Sequence, residues 1–468
     1  MENTKRNSFK GSIGFVLAAA GSAVGLGNIW RFPYLAAKHG GGLFLVIYII
    51  LALTFGFALL TTEIAIGRKT KQSPLTAYSK ISKKFGWLGG LACLVPIIIL
   101  PYYCVIGGWV VKYFISFLTG QGTASAQDGY FTSFITNTNG EPLIMLLLFL
   151  FATAFVVFRG VNKGIESFST IIMPALILLV IGISIFSLTL SHKDDTNTTR
   201  TGLEGFMVYV IPNVSQLTVS SFLSAVVDAM GQLFYSLSVA MGIMITYGSY
   251  VRDEDNLGKS INQIEIFDTI VAFLAGVMIV PAVYVFSGTE GLSASGPSLM
   301  FVSLPNVFKA MGPAGNVIGC LFFAMVLFAA LTSSVSLLEA IVSCFIDKFK
   351  ISRIKSVSVV TIITLVLGVV VCLGYNFWYF DFTLPNGSVG QILDIMDYIS
   401  NSVLMPVVAI GTCLLIGWIV KPKTVIDEVE KNGVRMGRKT LYVVMVKFVV
   451  PLLLLVLLLK SLGLKIFN

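Results

Sequence analysis

Charged side chains are scarce in this sequence of 468 residues, since Asp, Glu, Lys and Arg together make up 12% of it. Hydrophobic residues account for 56%, and the mean hydropathy is +0.88. A soluble fold cannot hide so much apolar surface in one core, so the composition excludes an ordinary water-soluble protein. The solvent of this chain must be mostly lipid.

Histidine and cysteine are also rare, with two and six copies, and no cysteines form a CxxC pair or a cluster with either histidine. Zinc sites and thiol redox centres need such spacing, so neither is expected. We interpret the cysteines as small residues of the protein interior.

Long apolar stretches recur along the chain, each near the roughly 20 residues that a helix needs to cross a bilayer. We count eleven and call them spans 1 to 11. They cover approximately residues 12–38, 41–67, 88–118, 142–159, 164–190, 219–250, 260–286, 314–346, 354–378, 389–420 and 440–462. Such stretches must be helices, because barrel strands are half as long and alternate in polarity. The sequence predicts an all-α, polytopic membrane protein with one domain over residues 1–468.

Orientation follows from the basic residues. If the N-terminus is cytoplasmic, the inside segments hold 23 of the 32 Lys and Arg residues, so the positive-inside rule predicts a cytoplasmic N-terminus and an extracellular C-terminus. The net charge of +9 is then an insertion signal and gives little reason to expect nucleic-acid binding. The first apolar stretch lacks a signal-peptidase pattern and is expected to remain as span 1.

Spans 1 and 6 contain polar residues and helix breakers at mid-depth. Span 1 has Gly-Ser-Ala-Val-Gly-Leu-Gly-Asn-Ile-Trp-Arg-Phe-Pro at 21–33, and span 6 has Gln-Leu-Phe-Tyr-Ser-Leu-Ser-Val-Ala-Met-Gly at 232–242. Helix packing through small residues explains the glycines but not the amide, the charge and the proline. Interrupted helices at corresponding positions of two halves indicate the substrate site of an inverted-repeat transporter. Unwound backbone there offers carbonyls to cations and N–H groups to a carboxylate.

Other polar groups also lie within apolar spans. The hydroxyls of Thr332, Ser333 and Ser334 either bond to the preceding helical turn or offer neutral ligands to Na⁺. An intramembrane carboxylate costs about 2.5 to 3.5 kcal/mol and is a functional hypothesis by default. The deeper acidic residues are Glu63, Asp268 and Glu339, whereas Asp228, Asp347, Asp394 and Asp397 lie near span ends.

These motifs resemble those of the neurotransmitter:sodium symporter family. The resemblance rests on residues 23–34 with the glycines at 40–42, on residues 232–250 and on residues 331–334, and it runs along nearly the whole chain. It implies a LeuT-type fold with two inverted five-helix repeats at about 12–190 and 219–420, an additional helix at about 440–462, and spans 1 and 6 unwound at mid-membrane. It also implies a sodium-coupled amino-acid symporter in the cell membrane, and not an enzyme.

The resemblance further implies two sodium sites and a substrate site. One sodium site would use Ala23, Asn28, Ser236 and Asp268, and the other Gly21, Val24, Ala329, Thr332 and Ser333. The substrate would contact Ser22, Ala23, Leu26, Gly27, Ile99, Tyr103, Tyr235, Ser236, Ser238, Met241, Ser333 and Leu337. Adaptable Met241, at a commonly aromatic position, suggests a hydrophobic or aromatic L-amino acid as the substrate.

Gate residues can be carried over in the same way. Arg31 with Asp397 would form the outer gate, under a lid of Tyr103 and Tyr235, and the inner gate would use Arg6, Asp347, Ser249 and Tyr250. Three positions depart from the family pattern: Phe9 replaces a Trp, Tyr235 replaces a Phe, and Ala240-Met241-Gly242 replaces a commoner Gly-Phe-Gly.

Chloride is not expected to be required. In chloride-dependent relatives the anion lies among groups that match Tyr48, Gln232, Ser236 and Asp268. Those relatives have an Asn at the position that matches Asp268. The Asp268 carboxylate supplies the negative charge itself, and two neighbouring anions would repel each other. Once the ions leave, this carboxylate can take up a proton, which allows proton antiport.

Three alternatives remain open. A channel would favour a continuous polar pore lining, and a membrane sensor would usually carry a soluble domain, which this sequence does not show. The main alternative is a proton-coupled amino-acid transporter of related fold. The sequence does not identify the amino acid, the Na⁺ stoichiometry or the oligomeric state.

Overall fold

The computed structural model describes residues 8–193, 198–215, 217–293 and 296–464. Within these ranges nine helices are long and apolar enough to cross a membrane, and a bent pair makes a tenth. The nine are Gly42–Thr70, Lys83–Leu118, Glu141–Phe158, Val161–Thr189, Leu257–Gly291, Pro313–Phe349, Arg353–Leu373, Ile392–Ile419 and Lys439–Ser461, which are spans 2 to 5 and 7 to 11. Their bounds lie within five residues of the predicted ones. The all-α, polytopic prediction is confirmed.

Spans 1 and 6 are the two interrupted helices. Span 1 consists of Ser12–Ala23 and Gly27–Lys38, which meet at an angle of 51°. Span 6 consists of Val219–Ser236 and Ile243–Tyr250, and the intervening residues are not helical. Span 6 does not qualify as a membrane-crossing helix by length and composition, because its halves are separated by six residues and its first half carries polar side chains.

Short elements connect the spans. Helices Pro74–Ile81, Tyr130–Ile135, Gly202–Val210, Leu304–Ala310 and Lys423–Val429 lie between spans. Two antiparallel hairpins, Ser191–Lys193 with Thr199–Thr201 and Phe382–Thr383 with Val389–Gly390, complete the loops. The sequence analysis predicted neither hairpin, because each strand has only two or three residues.

The interior is built by helices that approach closely. Span 3 packs along span 8, span 5 along span 7, and the second half of span 6 along span 2. At this last contact a Cβ atom on Gly67 would lie 2.0 Å from the carbonyl oxygen of Ile245. Only glycine allows the two backbones to come so close. The site described below lies among these helices.

Many large apolar side chains point outward. Phe151 of span 4 and Ile171 and Leu178 of span 5 are more than 70% exposed. In water such a surface would favour aggregation, but in a bilayer it is the face that contacts lipid.

Candidate functional site

The interrupted region of span 6 is held by polar contacts with spans 1 and 2. Ser238 and Ala240 have φ of 53° and 61°, the left-handed region that side chains other than glycine rarely adopt. The Ala240 N–H donates to the Glu63 carboxylate at 2.6 Å, and the Ser238 hydroxyl donates to the Ser22 carbonyl at 3.0 Å. Glu63 therefore positions the unwound backbone and is absent from the lining of the neighbouring cavity.

A cavity with an empty volume of about 350 Å³ lies between the two interrupted helices. Every predicted substrate contact except Leu26 lines it, and Gly25, Asn28 and Ile243 line it as well. Leu26 is fully buried beside the cavity. The lining combines serine and tyrosine hydroxyls with aliphatic side chains, which suits a ligand with one polar and one apolar end.

Two tyrosines border this cavity. The Tyr103 hydroxyl is buried near the Ser333 hydroxyl and the Leu26 N–H, but it forms no hydrogen bond of ordinary geometry with any described residue. A buried hydroxyl without a well-formed hydrogen bond costs free energy, so a ligand that accepts a hydrogen bond from it would be stabilised there. The Tyr235 ring lies against Gly27, where a Cβ atom would be 2.9 Å from the ring. Glycine at position 27 thus lets an aromatic side chain cover the break in span 1.

A cluster centred on an acidic residue adjoins the cavity. Asp268 of span 7 is fully buried, and its carboxylate accepts the Asn28 amide N–H at 2.9 Å. The Ser236 hydroxyl lies 2.6 Å from the same carboxylate oxygen and 2.7 Å from the Asn28 amide oxygen. Tyr48 donates to the other carboxylate oxygen at 3.3 Å, while Gln232 donates to the Gly27 carbonyl at 3.0 Å. Three spans thus supply oxygen atoms around one buried negative charge.

The three hydroxyls of span 8 differ in surroundings. Thr332 donates to the Ala329 carbonyl at 3.0 Å, and Ser333 donates to the Ser22 carbonyl of span 1 at 3.1 Å. Ser334 instead lies 2.8 Å from the Thr153 hydroxyl of span 4. A Cβ atom on Gly21 would be 3.3 Å from Thr332, so the first two hydroxyls face span 1 and the third does not.

Comparison with known proteins gives the family. The family model described as Sodium:neurotransmitter symporter family matches residues 6–137 and 132–465. The chain belongs to this family. The uncharacterized sodium-dependent transporter YhdH of Bacillus subtilis is 34% identical over 99% of each chain. A sodium-dependent transporter of Haemophilus influenzae is 31% identical over 98% of this chain and 99% of its own.

A solved structure is also similar to this chain. The crystal structure of MhsT in complex with L-phenylalanine has 33% identity and a TM-score of 0.84, and the match covers 97% of this chain and 100% of that one. The protein is therefore a sodium-dependent transporter with a LeuT-type fold, and its family consists of transporters rather than enzymes.

The expected outer-gate pair, Arg31 and Asp397, is not in direct contact. Within the described residues Asp397 forms no ion pair with Arg31; it accepts hydrogen bonds from Tyr102 at 3.0 Å and from the Asn401 amide at 2.5 Å. The Arg31 guanidinium lies instead beside Gly231 of span 6, where an added Cβ atom would be 3.3 Å from it. The sequence analysis missed Tyr102 and Asn401, although Asn401 lies one helical turn from Asp397.

Aromatic rings and an ion pair lie together around the residues that were expected at the inner gate. Phe9 is buried and its ring lies 5.9 Å from that of Tyr247 and 6.1 Å from that of Tyr250. The Tyr250 hydroxyl donates to Glu339 at 2.7 Å, and Glu339 also pairs with Arg353.

The other expected inner-gate residues are only partly described. Asp347 accepts the Ser73 N–H at 2.6 Å, and the Ser249 hydroxyl donates to the Thr246 carbonyl at 2.5 Å. Arg6 lies outside the described residues.

Proposed function

We propose that this transporter imports hydrophobic, including aromatic, L-amino acids together with Na⁺ by alternating access. The observation that carries the proposal is one cavity bordered by both interrupted helices, which shares Asn28 and Ser236 with the cluster around Asp268. An amino-acid carboxylate at this border would ligate Na⁺ directly. Ion and substrate would then stabilise each other, and this coupling must be reciprocal.

The first sodium ion would bind the Ala23 carbonyl, the oxygens of Asn28, Ser236 and Asp268, and the substrate carboxylate. Burial of Asp268 supports this site, because a buried carboxylate without a cation costs free energy even when it is hydrogen-bonded. Hard cations prefer oxygen ligands of this kind.

The second sodium ion would bind the carbonyls of Gly21, Val24 and Ala329 and the hydroxyls of Thr332 and Ser333. Each of these hydroxyls donates a hydrogen bond to a carbonyl and keeps lone pairs for a cation. Neutral ligands would hold the ion weakly enough for release.

The substrate would place its carboxylate at the Leu26 and Gly27 N–H groups and at the buried Tyr103 hydroxyl. Its ammonium would face the carbonyls of Ala23, Tyr235 and Ser236 and the Ser238 hydroxyl, while Ser22 and Ser333 complete the polar lining. The side chain would meet Ile99, Met241 and Leu337, to which the cavity adds Ile243. The relative MhsT, solved with L-phenylalanine, supports a large apolar side chain.

Chloride would not be required. The Asp268 carboxylate lies within hydrogen-bond distance of Tyr48 and Ser236, two of the groups expected around chloride in chloride-dependent relatives. A fixed negative charge there would repel a second anion. Protonation of Asp268 after substrate release would provide a route for proton antiport.

Alternating access would rock one helix bundle against the other around this midplane site, with repeats at about 12–190 and 219–420. Arg31 and Asp397 would join when the outer side closes further. The N-terminus would be cytoplasmic and the C-terminus extracellular. At about 100 mV, each Na⁺ that moves inward contributes roughly 2.3 kcal/mol, so two ions would support a more than thousandfold substrate gradient.

Uptake into proteoliposomes tests this function. Labelled leucine and phenylalanine should accumulate under an inward Na⁺ gradient and not when choline replaces Na⁺ at the same pH. Excess unlabelled tryptophan should compete, and glutamate or lysine should not. Accumulation in choline that follows an imposed pH gradient would instead favour the proton-coupled alternative.

A further inference from the structure

An open groove runs along the exterior of the helix bundle where spans 4, 5 and 8 meet, and its empty volume is about 1070 Å³. Its wall is apolar and consists mainly of Ala152, Phe155, Val156, Phe168, Ile171 and Leu331. Phe155 is 54% exposed and Ile171 is 71% exposed. The groove therefore opens toward the lipid and is separate from the cavity between spans 1 and 6.

Two basic residues also line this groove. Arg159 directly follows span 4, and Lys163 lies in the π-helical turn Val161–Glu166 that begins span 5. Both are exposed, and neither forms an ion pair within the described part of the chain. The nearest carboxylate in sequence, Glu166, is buried and accepts the Lys10 backbone N–H at 3.0 Å. No carboxylate of the described residues thus neutralises either positive charge.

We propose that this groove binds an anionic phospholipid, with its phosphate at Arg159 and Lys163 and one acyl chain along the apolar wall. Ala152 and Arg159 are seven residues apart, which is roughly 10 Å along a helix. The wall therefore reaches well into a hydrocarbon leaflet about 15 Å thick. A free phosphate ion would contact only Arg159 and Lys163, whereas a phospholipid would also contact the apolar wall. The apolar wall therefore favours a lipid. Basic pockets between membrane helices on the cytoplasmic side are suited to such headgroups.

The lipid would contact helices that flank the second proposed sodium site. Leu331 immediately precedes Thr332 in span 8, and a Cβ atom on Gly21 of span 1 would lie 3.1 Å from the Met173 sulfur of span 5. A lipid seated between spans 5 and 8 would stabilise their packing against span 1.

Native mass spectrometry of the purified full-length protein, titrated with phosphatidylglycerol or phosphatidylcholine, tests the site. We expect tighter binding of phosphatidylglycerol to the wild type. Arg159→Gln with Lys163→Gln should lower that affinity roughly thirtyfold, because each basic residue contributes about fivefold. The control Lys348→Gln with Lys355→Gln removes the same charge from exposed residues outside the groove lining and should change the affinity less than threefold.

Two results would overturn the proposal. One is an equal phosphatidylglycerol affinity in the wild type and in the groove variant. The other is displacement of the bound lipid by glycerol phosphate at an equal concentration, which would indicate a site for free anions. If the double variant does not fold, the single variant Lys163→Gln replaces it, because this change affects only an exposed turn residue. Lys163→Gln should lower the phosphatidylglycerol affinity about fivefold. An unchanged affinity in this variant would equally contradict the lipid site.

Discussion

The amide of Asn28 in span 1 donates a 2.9 Å hydrogen bond to the carboxylate of Asp268 in span 7. Both side chains are fully buried, and Ser236 of span 6 lies within 2.7 Å of both. This contact joins the interrupted helices to a buried carboxylate beside the cavity between them. The predicted ion coupling and the predicted chloride independence both depend on it.

Replacing Asp268 by Asn should change the anion requirement. The variant keeps the hydrogen-bonding shape but removes the charge, so transport should either become chloride-dependent or be lost, whereas wild-type uptake should be indifferent when gluconate replaces chloride. Glu265→Gln is a matched control, because Glu265 lies on the same helix and pairs with Arg438 instead. Wild-type uptake that collapses without chloride would contradict this assignment.

The span 8 hydroxyls should determine Na⁺ affinity. Thr332→Val with Ser333→Ala removes two proposed ligands while nearly conserving volume, and we expect the Na⁺ concentration for half-maximal uptake to rise at least tenfold. Ser334→Ala is the control, since that hydroxyl contacts Thr153. Equal Na⁺ dependence in the double variant and in the wild type would contradict the proposed second sodium site.

The buried Tyr103 hydroxyl should bind the substrate carboxylate. Tyr103→Phe should weaken substrate affinity by roughly 10- to 100-fold, because hydrogen bonds to charged groups contribute about 1.5 to 3 kcal/mol. Tyr113→Phe removes a hydroxyl from the same helix that donates to the Phe301 carbonyl, so affinity there should be unchanged. An unaltered Kd for leucine in Tyr103→Phe would contradict the proposed pose.

Close backbone contact between spans 2 and 6 should make Gly67 intolerant of substitution. Gly67→Ala places a methyl group 2.0 Å from the Ile245 carbonyl, so the two helices must separate, and we expect a lower melting temperature and lost transport. Gly90→Ala adds the same group where no atom lies within 4 Å, and it should leave stability equal or slightly higher. Equal melting temperatures for the two variants would show that the contact is not critical.

The sequence predicted the fold well because membrane spans depend on length and hydropathy, which are local properties. The breaks in spans 1 and 6 were predictable for the same reason, since polar residues such as Asn28 in span 1 and Ser236 and Ser238 in span 6 are unusual within apolar helices. The sequence could not show that Ser334 faces span 4, because three consecutive hydroxyls point in different directions around a helix.

Contacts between distant segments were harder to infer. The bond from the Ala240 N–H to Glu63 joins residues 177 positions apart, and no local pattern reveals it. Arg31 and Asp397 are also far apart in the sequence, and no local pattern shows whether the two side chains are in contact.

Equilibrium binding of labelled leucine to the purified protein, with Na⁺ or choline at fixed pH, tests the central claim most directly. If the substrate carboxylate is a ligand of the first sodium ion, binding should require Na⁺, and leucine should raise the apparent Na⁺ affinity by the same factor by which Na⁺ raises the leucine affinity. Leucine binding of equal affinity in choline and in Na⁺ would contradict the account.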